Sequence, residues 1–190
     1  MCGIAGILFK GDHRNLTAGQ ALINMLDGCQ HRGPDSTGYA LYHETKDGEL
    51  RLRFLVGEGM EAAETVERIK EKFAEWKAEV VTEESTGLNH TFTVRFDGDV
   101  QKFSYAMEHV AKLFSIGESL DIIKDIGGAH DVDKIYDVNS FNGTHGLGHV
   151  RLATESDVKP EAAHPFWATG FADVAIVHNG QITNYYKMRQ

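Results

Sequence analysis

The chain begins with the stretch MCGIAGILF, residues 1–9. After the methionine every side chain in it is small or apolar, and such a run is typical of a buried β-strand. Thr17 and Gln20 then have the spacing of a helix-capping box, and the apolar positions of residues 18–26 repeat as on one face of a helix. The strand predicted from residues 2–9 starts almost at the N-terminus, with Cys2 at its first position.

The position of Cys2 allows two interpretations. An initiator methionine is usually removed before a small residue, which would leave a thiol and a free α-amino group on Cys2. An ordinary α-amine titrates at about 7.7–8.0 and can accept the thiol proton near neutral pH. The resulting thiolate is a strong nucleophile that needs no separate histidine. The alternative is a small buried residue that happens to be second.

The composition restricts the class of protein. The chain has 190 residues, a formal net charge of −9 and 42% hydrophobic residues, which fits one globular domain with or without an insert. The acidic balance argues against a general nucleic-acid-binding protein. The sequence shows neither a membrane-spanning apolar run nor a signal peptide. Two cysteines, Cys2 and Cys29, are too few for a disulfide framework and favour a cytoplasmic location.

Residues 50–117 form a separate unit in the sequence pattern. The order of alternating and helical spacings is strand, helix, strand, strand, helix, with a last short strand at residues 113–116. Phe114 fits both this last strand and the helical spacing of the second helix, which would then extend to Phe114. This order predicts a ferredoxin-like subdomain inserted into the main domain.

Beyond the insert, the spacing predicts two short helices at residues 118–126 and 132–138. The apolar run at residues 174–177 predicts a buried strand that leads into a polar turn at Asn179 and Gly180. Such a turn is a common location for chemistry.

Several polar residues are candidates for a site. The Asn179 amide and the Gly180 N–H could form an oxyanion hole, although Asn-Gly is also a common hairpin turn. Arg151 could bind a substrate carboxylate through two parallel hydrogen bonds, with Thr154 adding a hydroxyl. The alternative for Arg151 is a surface ion pair.

Other polar clusters are interpreted as structural. Arg32 and Asp35 could pair and brace a loop near the N-terminus. His145 and His149 are not part of a four-ligand spacing, so no metal is expected. No cofactor is expected either, because the sequence has no glycine-rich phosphate-binding loop of the P-loop or dinucleotide type.

Five motifs stand out over nearly the whole chain: MCGIAGI (residues 1–7), HRGPDS (31–36), GHVRLAT (148–154), HPF (164–166) and VHNGQITNY (177–185). In sequence and in order they resemble the motifs of the class II glutamine amidotransferases, a family of N-terminal-nucleophile hydrolases.

The resemblance implies a mechanism. Cys2 would attack the side-chain amide of glutamine, and Asn179 and Gly180 would stabilise the oxyanion. Arg151 would bind the α-carboxylate of the substrate. Thr154 and His164 match positions that line the glutamine pocket.

The resemblance also implies an α+β fold, the four-layer αββα sandwich of the N-terminal-nucleophile hydrolases, here with the ferredoxin-like insert at residues 50–117. Family members place an acidic residue that binds the α-amino group of glutamine well after the Asn-Gly motif, and none of the residues after Gly180 is acidic. We therefore expect residues 1–190 to be a C-terminally incomplete amidotransferase domain.

A narrower resemblance, at residues 144–166, is to the separate amidotransferase subunits of glutamate-synthase-like and N-methylglutamate-synthase-like complexes. It implies glutamine as substrate and a synthase partner subunit that accepts the ammonia. The insert would be a docking or regulatory subdomain, or a decoration that packs on the core. Two other functions stay open: a non-catalytic regulatory or binding module that retains the fold, and an N-terminal-nucleophile hydrolase of a different amide.

Overall fold

The protein has an α+β fold. The computed structural model describes residues 2–11, 15–154, 157–180 and 182–188. In chain order the elements are β1 (Gly3–Leu8), α1 (Ala18–Asp27), β2 (Ser36–Tyr42), β3 (Glu49–Leu55), α2 (Gly59–Glu75), β4 (Glu79–Thr86), β5 (Asn89–Arg95), α3 (Val100–Glu108), β6 (Lys112–Gly117), β7 (Leu120–Ile126), α4 (Ala129–Tyr136), β8 (His145–Arg151), β9 (Phe166–Trp167), β10 (Ala175–Ile176) and α5 (Tyr185–Met188). Within these ranges no helix has both the length and the apolar character needed to cross a membrane.

The first sheet has the strand order β1-β8-β2-β7, and all its pairings are antiparallel. The start of β1, the end of β8, the start of β2 and the end of β7 therefore lie together. We call this the Cys2 end of the sheet. Helices α1 and α4 cover one face. Leu22 and Leu26 of α1 lie against Gly146 and Gly148 of β8, where the lack of a Cβ lets the helix approach the strand.

The capping box predicted at the start of α1 is present in part, since Thr17 Oγ1 accepts a hydrogen bond from Gln20 N over 3.0 Å. The strand predicted at the N-terminus is also present as β1. It is not fully buried, however, because Ile4 and Leu8 on the face opposite the helices are 43% and 63% exposed. An apolar run thus marks a strand with one covered face and one open face.

The second sheet has the strand order β4-β5-β3-β6, again with antiparallel neighbours. With α2 and α3 it gives the order β-α-β-β-α-β. Phe73 of α2 and Phe92 of β5 meet edge to face, with ring centroids 5.0 Å apart, in the core of this unit. The prediction that Phe114 belongs to a helix is wrong. Helix α3 ends at Glu108, and Phe114 is part of β6.

The helix predicted at residues 118–126 is also wrong, since this segment forms strand β7. Leu120 and Ile122 face the core of the second unit, whereas Ile123 faces α1 and α4. Because both faces of this strand are covered, its apolar residues do not alternate, and their spacing alone does not distinguish the strand from a helix. Pairing with β2 along all seven residues then favours the strand.

A buried ion pair joins the two sheets. Arg53 of β3 donates two hydrogen bonds to Asp121 of β7, over 2.6 and 2.8 Å. Burial would raise the pKa of Asp121, but the adjacent Arg53 holds it well below its ordinary value. The carboxylate is therefore charged in the folded protein, and its partner belongs to the other sheet.

Candidate active site

Cys2 and Arg151 lie on neighbouring strands at the Cys2 end of the first sheet. Gly3 pairs with Val150 in the register of β1 and β8, so Cys2 and Arg151 are the next residues along two antiparallel strands. Arg151 also pairs with Ser36, the first residue of β2. The sheet topology thus brings the predicted nucleophile and the predicted carboxylate-binding residue to one place.

Asn179 reaches this place from the other end of the sequence. Its Nδ2 atom donates a hydrogen bond to the backbone carbonyl of Cys2 over 2.9 Å. The preceding apolar run was predicted to be a buried strand, and this is only partly correct. The two-residue strand β10 pairs with β9, and Ile176 is 53% exposed.

Histidine side chains connect the remaining segments. His149 Nε2 donates a hydrogen bond to the carbonyl of His178 over 3.1 Å, which fixes the residue before Asn179 against β8. A Cβ at Gly180 would lie 2.7 Å from Nε2 of the exposed His178 ring, so a side chain there would require that ring to shift. Burial lowers the pKa of His149, and the nearby Arg151 and His178 lower it further despite the His178 carbonyl.

His164 stacks on His149, with ring centroids 4.5 Å apart and 29° between the planes. Phe166 covers another side of the ring, edge to face. Burial, together with positive charge from the neighbouring histidines, Lys124 and Arg151, lowers the pKa of His164 to about 3. His164 is therefore neutral at physiological pH and adds no charge to the site.

Arg151 is buried, with an exposed fraction of 6%, so it does not lie at the surface. Its Nη1 atom donates to the carbonyl of Asp157 over 3.3 Å. Thr154 follows on the loop after β8 and is exposed. Met1 and Gln181, which belong to the motifs quoted above, lie outside the described residues.

The loop predicted to brace the N-terminal region lies against the end of β8. Asp35 Oδ2 accepts a hydrogen bond from Ala153 N over 2.6 Å, and Asp35 N donates to the carbonyl of Arg151 over 3.1 Å. A Cβ at Gly33 would lie 2.4 Å from the carbonyl of Val150. These contacts hold the backbone on both sides of Arg151, which supports the structural interpretation of this motif.

Cys29 also packs near the nucleophile candidate. A Cβ at Gly3 would lie 2.6 Å from Cys29 Sγ, so Gly3 allows Cys29 to sit directly beneath β1. Both cysteines are free thiols. Among the described residues, His, Cys, Asp and Glu side chains do not form a group of three or more that could hold a metal ion.

Sequence reasoning missed Lys124. This lysine is 2% exposed and lies on β7, on the same face of the sheet as His149. Its signal in the sequence is a lysine that directly follows Ile122 and Ile123 in the segment LDIIKDI of residues 120–126. His149 and His178 stand inside the quoted motifs, but no role was assigned to either.

Comparison with known proteins gives relatives along the whole chain. It is 34% identical to a protein of Methanothermobacter thermautotrophicus that is provisionally named a glutamine amidotransferase, and covers 64% of that protein. It is 33% identical to the glutamine amidotransferase-like protein GlxB of Rhizobium meliloti, and covers 62% of it. The chain thus spans somewhat less than two thirds of these relatives.

A shorter match, 39% identical over 69 residues, is to the glutamine–fructose-6-phosphate aminotransferase (isomerizing) of M. thermautotrophicus. It covers 36% of this chain and 12% of that enzyme. No family model matches the chain.

Proposed function

We propose that this chain is the glutamine-hydrolysing part of a class II glutamine amidotransferase, with Cys2 as its nucleophile. The observation that carries the proposal is the hydrogen bond from Asn179 to the Cys2 carbonyl, next to Arg151 on the adjacent strand. Relatives named for glutamine amidotransfer along the whole chain give independent support.

The first step uses the N-terminal residue alone. After removal of Met1, the neutral α-amine of Cys2 takes the thiol proton, and the thiolate attacks the side-chain amide carbon of glutamine. The C–S bond forms as the carbonyl π-electrons move onto oxygen. An oxyanion results, and it requires hydrogen-bond donors at that position.

Asn179 can supply such a donor without giving up its contact to Cys2. A side-chain amide nitrogen carries two hydrogens, and the Cys2 carbonyl uses one of them. The second N–H and the backbone N–H of Gly180 would form the oxyanion hole. Collapse of the intermediate transfers the proton to the leaving nitrogen and releases ammonia. Water then cleaves the thioester to give glutamate and the free thiol.

Substrate orientation would come from Arg151. A guanidinium group binds a carboxylate through two parallel hydrogen bonds, and the α-carboxylate of glutamine is the matching group. His164 and Thr154 would line the same pocket. Because His164 is neutral, it can offer a hydrogen bond without repelling the α-ammonium group of the substrate.

We also propose a finer description of the architecture. The first sheet and its two helices would be half of the four-layer αββα sandwich. The antiparallel order β4-β5-β3-β6 with α2 and α3 on one face supports a ferredoxin-like subdomain at residues 50–117. Ammonia would pass to a synthase partner, of the glutamate-synthase type, and the subdomain is a candidate docking surface for that partner.

The test is labelling of the full chain with a glutamine-analogue diazoketone, which alkylates a nucleophilic thiol, followed by peptide mass spectrometry. We expect an adduct on Cys2, absence of Met1 from the labelled protein, and protection by excess glutamine. The Cys29→Ser variant should label like the wild type, whereas Cys2→Ser should not. Retained Met1 with no adduct on Cys2 would overturn the mechanism. Binding of glutamine without any adduct or glutamate release would instead support the non-catalytic module.

A further inference from the structure

The segment that contains His164 crosses the face of the first sheet opposite α1 and α4, above one cross-strand row. In the registers of the four strands, Ile4 pairs with His149, His149 with Gly38, and Gly38 with Lys124. These four positions lie side by side on the same face, because directly paired residues of a sheet point to the same side. The row thus has a ring at His149, a gap at Gly38 and a long cation at Lys124.

The gap at Gly38 is occupied by the backbone of His164. A Cβ at position 38 would lie 2.2 Å from the carbonyl oxygen of His164, a distance that no side chain tolerates. The absence of a side chain on β2 therefore lets the segment lie directly on the sheet. The His164 ring then extends over His149, as their stacking shows.

Lys124 holds the same segment from the other side. Its Nζ atom donates hydrogen bonds to the carbonyls of Ala163 over 2.9 Å, Pro165 over 3.3 Å and Glu161 over 3.4 Å. It also lies over the rings of Phe114 and Phe166, at 4.6 and 4.5 Å from their centroids. Three carbonyls match the three N–H donors of an ammonium group.

Burying the ammonium group of Lys124 costs free energy, which its interactions in the folded protein must offset. Burial, with a smaller contribution from Lys112, lowers the pKa of Lys124 to about 7, and Glu161 acts in the opposite direction. An apolar residue would fill the space between the two rings without that cost. A lysine, unlike an apolar residue, donates hydrogen bonds to the three carbonyls. Among the described residues, these carbonyls are not paired with a neighbouring strand.

We propose that Lys124 is a positioning residue of the glutamine site. It fixes the backbone of residues 161–165 against Gly38, so that His164 stays stacked on His149. His149 in turn holds the His178 carbonyl next to Asn179. This inference rests on the proposed function for the statement that the site binds glutamine, but the geometry of His164 is independent of it.

The main test compares Lys124→Met, which keeps the apolar volume and removes the donors, with Lys102→Met, an exposed lysine of α3. Two measurements are made on the full chain. The first is the inactivation of Cys2 by the glutamine-analogue diazoketone, separated into the inhibition constant and the maximal rate. The second is the set of NMR signals of the His164 ring, assigned with His164→Phe, which reports its stacking without any need for activity.

For Lys124→Met we expect the inhibition constant to rise about tenfold, equivalent to about 1.4 kcal/mol, with less than a threefold change in the maximal rate. The ring signals of His164 should move toward those of an unstacked histidine. Lys102→Met should match the wild type in both measurements. A Lys124→Met protein with a wild-type inhibition constant and unmoved His164 signals would overturn the inference.

Two further variants keep the test decisive if Lys124→Met does not fold. Lys124→Gln retains two donors and should shift the His164 signals less than the methionine variant. In Gly38→Ala the added Cβ would displace the carbonyl of His164 from the sheet, and the His164 ring signals should shift as well. Unmoved signals in both variants would contradict the proposal. If the wild type shows no adduct while the His164 signals respond as expected, the proposed function fails and the positioning role of Lys124 stands.

Discussion

The side-chain nitrogen of Asn179 donates a hydrogen bond to the backbone carbonyl of Cys2 over 2.9 Å. A backbone carbonyl can only accept, so the amide must turn its NH₂ group toward Cys2 and its oxygen away. The contact therefore orients the Asn179 amide, which with the Gly180 N–H could donate to an oxyanion, and the acceptor that orients it belongs to Cys2.

The first prediction follows from this orientation. Asn179→Asp keeps the shape of the side chain but places an acceptor opposite an acceptor and removes both N–H donors. We expect glutamate release to fall by about 10²–10³ in kcat, the usual loss of one oxyanion-hole donor, with a smaller change in KM. Steady-state glutaminase assays measure this, and Asn24→Asp on the exposed side of α1 is the matched control. A wild-type kcat for Asn179→Asp would remove Asn179 from the mechanism.

The sequence predicts the secondary structure correctly where a local pattern agrees with the contacts made in the folded protein. The capping spacing at Thr17 gave the start of α1, and alternation gave β3 and β5. Cys2 is a site candidate because of its position next to the N-terminal methionine, and Arg151 because an arginine at the end of a strand can bind a carboxylate. The sheet then placed Cys2 and Arg151 next to each other.

The sequence failed where the same residues fit two periodicities. Leu120 and Ile123 of β7 are also spaced as on one face of a helix, and nothing local reveals the pairing of this segment with β2. The contacts of Lys124 escape the sequence for a different reason, since its ammonium group donates to backbone carbonyls about forty positions later. A backbone acceptor leaves no trace in the amino-acid sequence.

A second prediction concerns the ion pair between the sheets. Asp121→Asn leaves the buried Arg53 guanidinium without its carboxylate, which should lower the free energy of unfolding by about 3–5 kcal/mol. Denaturant unfolding at neutral pH measures this, with Asp27→Asn, at an exposed carboxylate, as the matched control. The double variant with Arg53→Met and Asp121→Leu should be more stable than Asp121→Asn alone. A loss in Asp121→Asn no larger than in the control would show that the pair contributes nothing.

A third prediction reverses a common rule for helices. Gly→Ala in a helix normally stabilises a protein by up to about 1 kcal/mol. At Gly19 of α1, however, a Cβ would lie 1.7 Å from the carbonyl oxygen of Val138. We expect Gly19→Ala to lower the free energy of unfolding by about 1–3 kcal/mol, as overpacking does.

The matched control for Gly19→Ala is Gly6→Ala. A Cβ at Gly6 meets the flexible end of Leu147, at 3.2 Å, which can move aside. The change in Gly6→Ala should stay within about 0.5 kcal/mol. A Gly19→Ala protein more stable than the wild type would mean that α1 can shift away from Val138.

The last prediction is a pH dependence that originates at His164. Its pKa in the folded protein is about 3, against an ordinary value of 6.5. Between these values the unfolded chain binds a proton at His164 that the folded chain does not, so the free energy of unfolding must fall as the pH falls below about 6.5. His164→Phe cannot take up that proton, and its stability should decrease less than that of the wild type between pH 7 and pH 5. Urea unfolding at the two pH values measures the difference, and the ring signals of His164 in NMR should not titrate over this range. A titration midpoint of the folded His164 near 6.5, or equal pH dependence in both proteins, would show that the ring is not held in its buried stack on His149.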